Sequence, residues 1–401
     1  MLKINRQAVA QILFFCALFA IYLYKYQTHQ IGADFLLRIT EAKYFLAGIN
    51  PYDVFMGVEP IISVYGPKPA VYSFFSYFFA GSLTKIANNE QLQLLLFICL
   101  DFAALVVGVL LVNKMMMSFL AKAPALALPS QKNWALVLVL ICSTYFWQHV
   151  YFLNYTLLSV FGLLLVIWGL HKNLTLLPLF GMALIGLRPS LAIPVFVYLA
   201  VSKHWKLFAL AGLEYLCVLL LAAAKLDADP IDLIKQLSEV QRYFSDNLSY
   251  YHAEGILLIL KASLGSYLTM ISTVIVGIIM FAYKRHLANP LISLSLIITS
   301  SVSLFYTQVH AWVSIYPILL IALSGFATGN HASKKYSKVL VFILISFLIV
   351  PRLSGYVSEE FRYHYLVFHN LLRFGALWCC VIYLIRQLII ADKSTVVGPY
   401  A

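Results

Sequence analysis

The chain is poor in charged residues. Lys, Arg, Asp and Glu together make up 11% of its 401 residues, whereas a soluble globular domain carries about 25%. Apolar residues make up 62%, against roughly 45–50% in a soluble domain. Because water cannot be the main solvent of so apolar a chain, its composition excludes an ordinary soluble protein.

The chain also lacks the signatures of several enzyme classes. It has no Walker motif, no dinucleotide-binding glycine fingerprint and no serine-hydrolase elbow. No pair of histidines has the spacing of a zinc site. All six cysteines lie in apolar runs, away from disulfide or metal-ligand positions, so we interpret them as small buried hydrophobic residues. Without repeats or a low-complexity linker, residues 1–401 are predicted to form a single membrane domain.

What the chain does have is long apolar runs, such as Leu94–Val112, Tyr267–Ala282 and Leu366–Ile385. Their lengths are near the ~20 residues that cross roughly 30 Å of hydrocarbon as a helix. They predict an all-α integral membrane protein with about twelve transmembrane helices. No cleavage site follows the first run, so we expect this span to be retained.

The net charge of +12 comes from short basic clusters between the apolar runs. Because no single basic face is present, we expect no nucleic acid partner. Basic short loops favour the cytoplasm, which places the N-terminus inside. Two large loops, 25–91 and 225–263, are then extracytoplasmic.

This alternation requires that the apolar stretch Ala70–Leu83 does not cross the membrane. It is short and rich in Phe and Tyr, as expected of an interfacial or re-entrant helix. The alternative is a full span, which would place the basic segment from Lys114 to Lys132 outside.

Two ionisable residues are candidates for chemistry. Asp34 follows the first span closely and is well placed as a base, although an Asp there can also be solvated or cap a helix. Arg188 lies between two short apolar segments, and Pro189 interrupts the helix behind it. A guanidinium in such a position suits a lipid-linked phosphate; snorkelling to the interface or a structural ion pair are the alternatives.

A third candidate is His310, in an outward turn before Tyr316-Pro317, which could bind phosphate oxygens or be structural. The loop 225–263 combines carboxylates with tyrosines. This composition suits a sugar ligand, and it equally suits a solvated amphipathic helix.

Several motifs in chain order resemble those of GT-C glycosyltransferases, most closely glycosyltransferase family 87, which uses polyprenyl-phosphate-mannose donors. The matching segments are Asp34-Phe35, Gly48-Ile49-Asn50-Pro51-Tyr52, Tyr65-Gly66-Pro67-Lys68-Pro69, Gln148 to Asn154, Arg188-Pro189, Asn247-Leu248-Ser249 and His310 with Tyr316-Pro317. Trp147 stands where the family has glycine. The likeness covers about 30–320.

The resemblance implies a GT-C fold with interfacial helices in the first outer loop, in a bacterial inner membrane with an extracytoplasmic active site. It implies an inverting transfer of a hexose, with mannose as the first expectation, from a polyprenyl phosphate to a glycolipid or glycan of the cell envelope. Asp34 would be the catalytic base, and Arg188 and His310 would bind the donor phosphate. Substrate-binding roles are expected for Glu41, Tyr52, Tyr65, Lys68, Asn154 and Asn247. No cofactor or metal is expected, although some GT-C relatives use a metal.

Two other functions stay open. A multi-pass lipid or sugar transporter would have inverted repeats with paired helix breaks, and only one conspicuous break, at Arg188-Pro189, is evident. A catalytically inactive assembly subunit is the other alternative.

Overall fold

A computed structural model describes residues 6–57, 73–120, 139, 143–247, 253–254, 268–305, 307–325 and 359–396. Within these ranges the chain is almost entirely α-helical. In chain order the helices are α1 Arg6–Gln27, α2 Ala33–Leu46, α3 Pro51–Met56, α4 Phe74–Ile86, α5 Glu90–Leu120, α6 Thr144–Phe152, α7 Thr156–His171, α8 Leu176–Gly186, α9 Pro189–Val201, α10 Trp205–Leu226, α11 Pro230–Asn247, α12 Leu268–Ala282, α13 Pro290–Leu304, α14 Tyr316–Gly325 and α15 Glu359–Val396.

The remaining regular elements of the described ranges are short. Two 3₁₀ helices cover Lys284–His286 and Val309–Ile315. Strand β1, Ala253–Glu254, pairs antiparallel with strand β2, Thr307–Gln308.

Three stretches of the described chain are long and apolar enough to cross a membrane: Glu90–Ser118 in α5, Trp205–Leu226 in α10 and Phe368–Ile390 in α15. The pair formed by α6 and α7 makes a fourth if the 105° bend between these helices belongs to one broken span. The predicted class of all-α membrane protein is therefore confirmed at this level. The number of twelve spans remains a prediction.

The surface of α10 supports the same conclusion. Only 22% of its most apolar window is buried inside the protein, and Leu213, Leu216, Leu220 and Leu221 are exposed. Water disfavours a continuous apolar surface of this kind, whereas hydrocarbon does not. These leucines have the character of a lipid-facing helix surface.

The first large loop of the prediction contains helices α2, α3 and α4. Helix α4 begins at Phe74 and continues three residues beyond the predicted end of the apolar stretch, to Ile86. Its 13 residues extend about 20 Å, less than the roughly 30 Å of a bilayer core. This length agrees with a helix that does not cross alone, and its interfacial position remains a prediction.

The chain divides into two compact units. The first comprises Met1–Ile21, Val106–Gln148 and Tyr250–Ala401, and the second comprises Tyr22–Leu105 and His149–Ser249. The single membrane domain expected from the sequence also stays a prediction.

In the second unit, helices α7 and α8 pack very closely through glycines. A Cβ at Gly162 would lie 2.6 Å from the carbonyl oxygen of Gly181, and one at Gly181 would lie 2.5 Å from that of Gly162. Small residues at such a contact let two helix backbones approach, as is common between membrane helices. The amphipathic helix α11 packs against α3 and α10, burying Leu233 and Val240.

The centre of the first unit is helix α13, all of whose residues are buried. It packs against α12, α14 and α15. Two of its buried serines bond locally: Ser295 and Ser303 donate to the carbonyl oxygens of Leu291 and Thr299. A helix that is buried on every side is suited to the interior of a bundle.

One expectation about the apolar runs needs correction. Four of the five described cysteines, Cys16, Cys99, Cys217 and Cys379, are exposed on the protein surface, and only Cys380 is buried. Since a thiol behaves as a small hydrophobe, an apolar lipid environment is compatible with these positions. Two apolar runs also contain one charged residue each, Asp101 and Arg373, and both are buried.

Candidate active site

Asp34 lies in the first turn of α2. Gly32, just before the helix, has a left-handed backbone with φ +86°. A Cβ there would lie 2.5 Å from a terminal methyl of Leu94, which would have to shift, and the left-handed backbone itself favours glycine. The N–H of Gly32 donates to the carbonyl oxygen of Tyr151 at 2.8 Å. This bond attaches the beginning of α2 to the end of α6.

The guanidinium of Arg38 joins two carboxylates of the same helix. Its Nη2 donates to Oδ1 of Asp34 at 3.1 Å, and its Nη1 lies 2.9 Å from both carboxylate oxygens of Glu41. Its Nε donates to the backbone carbonyl oxygen of Asp34 at 3.2 Å. The spacings of four and three residues bring all three side chains to one face of α2.

Burial differs sharply within this group. The side chains of Arg38 and Glu41 are 0% exposed, whereas that of Asp34 is 12% exposed. Asp34 is thus the member that an external molecule can reach. Burial raises the pKa of Glu41 well above its usual range, and the charge of Asp34 acts in the same direction, although the Arg38 guanidinium opposes the shift.

Tyrosines surround the charged group. Glu41 lies near the hydroxyls of Tyr52 and Tyr77, whose rings lie 6.0 Å apart. Tyr52 is completely buried against Phe74, and burial raises its pKa. Its packing is that of a core residue, and the predicted part of Tyr52 in substrate binding remains a prediction.

The bend between α6 and α7 carries the next set of residues. Leu153 has a positive φ of 51°, and Oδ1 of Asn154 accepts the N–H of Thr156 at 3.0 Å. This is an Asx-turn, which lets an asparagine side chain start the following helix. Asn154, predicted to bind substrate, therefore has a clear structural part in the turn.

Arg188 is attached to the same bend. It precedes α9, with Pro189 at the first helical position, as the predicted helix break requires. Its side chain is half-buried, and Nη1 donates to Oγ1 of Thr156 at 3.0 Å.

These contacts bring much of the predicted site together in the second unit. Asp34 is connected to the bend through Gly32, and Arg188 is connected to it through Thr156. Tyr155, between Asn154 and Thr156, is close enough for the charges of Asp34, Arg38 and Glu41 to act on it. We call this set of residues, Asp34, Arg38, Glu41, Tyr155 and Arg188, the bend site.

The other predicted site residues cannot be placed in the bend site. Tyr65 and Lys68 lie outside the described residues. Asn247 is the last residue of α11, and His310 lies in the 3₁₀ helix of the first unit; the structure describes only their backbones.

Two buried polar clusters were not among the candidates predicted from the sequence. In the second unit, Oδ2 of Asp101 lies 2.9 Å from Nε2 of His149 and accepts a hydrogen bond from the Tyr22 hydroxyl at 3.2 Å. The detectable signal was a carboxylate within the run Leu94–Val112, because an ionisable residue inside a span is by default a functional candidate.

The second cluster, in the first unit, surrounds the buried guanidinium of Arg373. This group contacts the hydroxyl of Tyr145 and donates to Oδ1 of Asn370 at 2.8 Å. It also lies 4.2 Å from the ring centroid of Trp312, a cation–π arrangement. A lone arginine within an apolar run was again the available signal.

No three His, Cys, Asp or Glu side chains of the described ranges are grouped as metal ligands would be. The expectation of metal-free chemistry stays a prediction, because part of the chain lies outside those ranges.

Comparisons of the chain with protein-family models, with curated proteins and with solved structures find no match. The resemblance to GT-C glycosyltransferases therefore depends on the motifs in the sequence alone.

Proposed function

We propose that the chain is an inverting membrane glycosyltransferase of the GT-C type. It transfers a hexose, with mannose as the first candidate, from a polyprenyl phosphate to a glycolipid or glycan acceptor on the extracytoplasmic side of the inner membrane. One observation carries the proposal. Asp34 is the partly exposed carboxylate of an otherwise buried charged group, and it stands at the position where the motifs imply the catalytic base.

In the proposed reaction, the acceptor hydroxyl oxygen attacks the anomeric carbon of the donor sugar. The bond from this carbon to the phosphate oxygen breaks, and its electron pair leaves with the polyprenyl phosphate. The hydroxyl proton passes to Asp34. General-base assistance of this kind contributes typically 10²–10⁴ to a rate. A single displacement inverts the anomeric configuration.

The leaving phosphate gains one negative charge in this step, so a cation is needed near it. Arg188 is suited to this role because its half-buried guanidinium is attached, through Thr156, to the bend between α6 and α7. A fixed guanidinium can stabilise developing charge without reorganising. His310 is proposed as a second phosphate ligand on the resemblance alone.

The test is transfer from radiolabelled polyprenyl-phosphate sugars by the purified protein, beginning with the mannose donor. Asp34→Asn should insert and fold normally and lose at least about 10²-fold in rate. Asp53→Asn is the matched control, since Asp53 also lies in the first turn of a helix in the same loop and accepts a hydrogen bond from Gln236, which an asparagine oxygen can replace. Full transfer by Asp34→Asn would refute the mechanism.

A second candidate function is proton-linked transport of a lipid or sugar. Its support is the buried Asp101–His149 pair in the second unit, because such pairs inside membrane proteins often lie on proton or substrate pathways. Flux into proteoliposomes that depends on a pH gradient, with no sugar transfer, would favour this function over the first.

A further inference from the structure

Arg38 has an unusual position for a residue of a helical ion pair. Exposed pairs spaced by four residues contribute little, because both side chains are mobile and hydrated. Arg38 is 0% exposed, and so is its second partner, Glu41. Packing therefore restricts this guanidinium to one orientation, in which it also reaches Asp34.

The contacts of Arg38 hold Asp34 at two points. Nε binds the backbone carbonyl oxygen of Asp34, and Nη2 binds its carboxylate oxygen Oδ1. Two contacts from one rigid, planar group restrict the rotation of the Asp34 side chain about its own backbone. Only the fork of an arginine can make this arrangement, because the ammonium of lysine is a single point charge.

Glu41 supplies the fixed end of this arrangement. Both of its carboxylate oxygens lie 2.9 Å from Nη1 of Arg38, on the side of the guanidinium that is away from Asp34. The three side chains thus run from the buried Glu41 to the partly exposed carboxylate of Asp34. A fixed position of this carboxylate matters for catalysis, since displacing a base by about 1 Å can lower the reaction rate about 10²-fold.

On the basis of the proposed function, we propose that Arg38, anchored by Glu41, is a positioning residue that holds the Asp34 carboxylate ready for proton transfer. Neither residue needs to touch the substrate. Their effect is exerted through the orientation of Asp34.

The experiment compares purified full-length variants in detergent. Arg38→Lys keeps the charge and removes the fork, and Glu41→Leu removes the anchor at similar volume. Glu41→Gln is the conservative variant, since its amide oxygen can still accept from Nη1. The matched control is Glu90→Gln. It alters the ion pair between Glu90 and Lys43, which lies on helix α2 as Arg38 does but is more exposed.

The first measurement is the rate at which a hydrophobic carbodiimide modifies Asp34, followed by peptide mass spectrometry. Loss of the guanidinium fork in Arg38→Lys, or of its anchor in Glu41→Leu, should release the Asp34 carboxylate and raise this rate about tenfold. Glu41→Gln and Glu90→Gln should stay within about twofold of the unaltered protein. An unchanged rate in both Arg38→Lys and Glu41→Leu would overturn the proposal, whatever the activity of the protein.

The second measurement is sugar transfer by the same samples. The positioning role predicts a kcat about 10²-fold lower in Arg38→Lys, with KM values within about twofold. Loss of folded protein with unchanged kcat per folded molecule would show a purely structural residue and overturn the proposal. A third outcome is raised labelling of Asp34 in Arg38→Lys and Glu41→Leu, while the unaltered protein transfers sugar from no donor. This result would support the positioning of Asp34 by Arg38 and would refute the proposed function.

Discussion

The substitution Gly162→Ala tests whether the close contact of α7 and α8 builds the bend site. The new Cβ would lie 2.6 Å from the carbonyl oxygen of Gly181 and 2.8 Å from Cβ of Leu184. Neither atom can rotate away, because one belongs to the backbone and the other is bonded to it. Ordinary contact begins at 3.4 Å, so the helices must separate locally by about 0.8 Å.

The free energy of unfolding changes by two opposed contributions. Overpacking of this kind costs about 1–3 kcal/mol, while replacing glycine by alanine in a helix favours folding by about 1 kcal/mol. We therefore expect a net loss of stability of up to about 2 kcal/mol in Gly162→Ala.

Function should be affected through the same displacement. The bond from Ser159 to the carbonyl oxygen of Leu184, at 3.1 Å, connects α7 with α8. The bond from Nη1 of Arg188 to Thr156 connects α7 with the turn that follows α8. A separation of about 0.8 Å would lengthen them beyond hydrogen-bonding distance. If Arg188 binds the donor phosphate, the KM for the donor should rise about three- to tenfold.

The assay is thermal and denaturant unfolding in detergent, together with donor-dependent transfer kinetics. Gly212→Ala is the control, because Gly212 lies in α10 and a Cβ there meets nothing within 4 Å; it should be neutral or slightly stabilising. Equal stability of the two variants would refute the reasoning about packing. A destabilised Gly162→Ala with an unaltered KM for the donor would refute the reasoning about Arg188.

Three further predictions concern single charges. Arg188→Ala should raise the donor KM about tenfold and leave the acceptor KM nearly unchanged, and equal effects on both would indicate a structural arginine. The pKa of Glu41 is raised in the folded protein, so its contribution to stability is present below about pH 4.5 and is lost as pH rises through the folded-state pKa. Glu41→Gln should therefore flatten this part of the stability–pH curve. An unchanged curve would contradict the raised pKa. His149→Leu should cost about 3 kcal/mol by removing the histidine partner of the buried Asp101 and leaving it only the Tyr22 hydroxyl among the contacts described above. The double variant with Asp101→Leu should cost less, and additive losses in this double-mutant cycle would exclude the coupling.

The class of the protein could be predicted from the sequence because hydrophobicity is additive along a helix. The stretch Trp205–Leu226 has the length and apolar content of a span, and both properties are visible without any tertiary contact. The helix break before Pro189 was predictable for a similar reason, since proline restricts the backbone locally.

The charged group on α2 was predictable in principle. Asp34, Arg38 and Glu41 are spaced by four and three residues, and such spacings share one face of any helix. Their burial was not predictable, because the same spacing is common on exposed helices. Which of the two carboxylates is reachable depends on the neighbouring elements, and only the structure distinguishes the 12% exposure of Asp34 from the complete burial of Glu41.

Contacts between distant segments were beyond the reach of sequence patterns. Asp101 and His149 are 48 residues apart, and no periodicity relates them. The same holds for Thr156 and Arg188 at the bend site. Tyr155 was missed because a tyrosine in an apolar region has no distinguishing spacing.

The sequence by itself determined the solvent of this protein, its helical class and the local positions where helices must break, because these follow from composition, run length and the backbone preferences of proline and glycine. The tertiary structure alone decided which ionisable groups are buried, which carboxylate of α2 is accessible and how Asp34 and Arg188 are connected to a single bend. The reason is that burial and pairing depend on residues far apart in the chain. The close approach of α7 and α8 at Gly162 and Gly181, for example, exists only once both helices have formed.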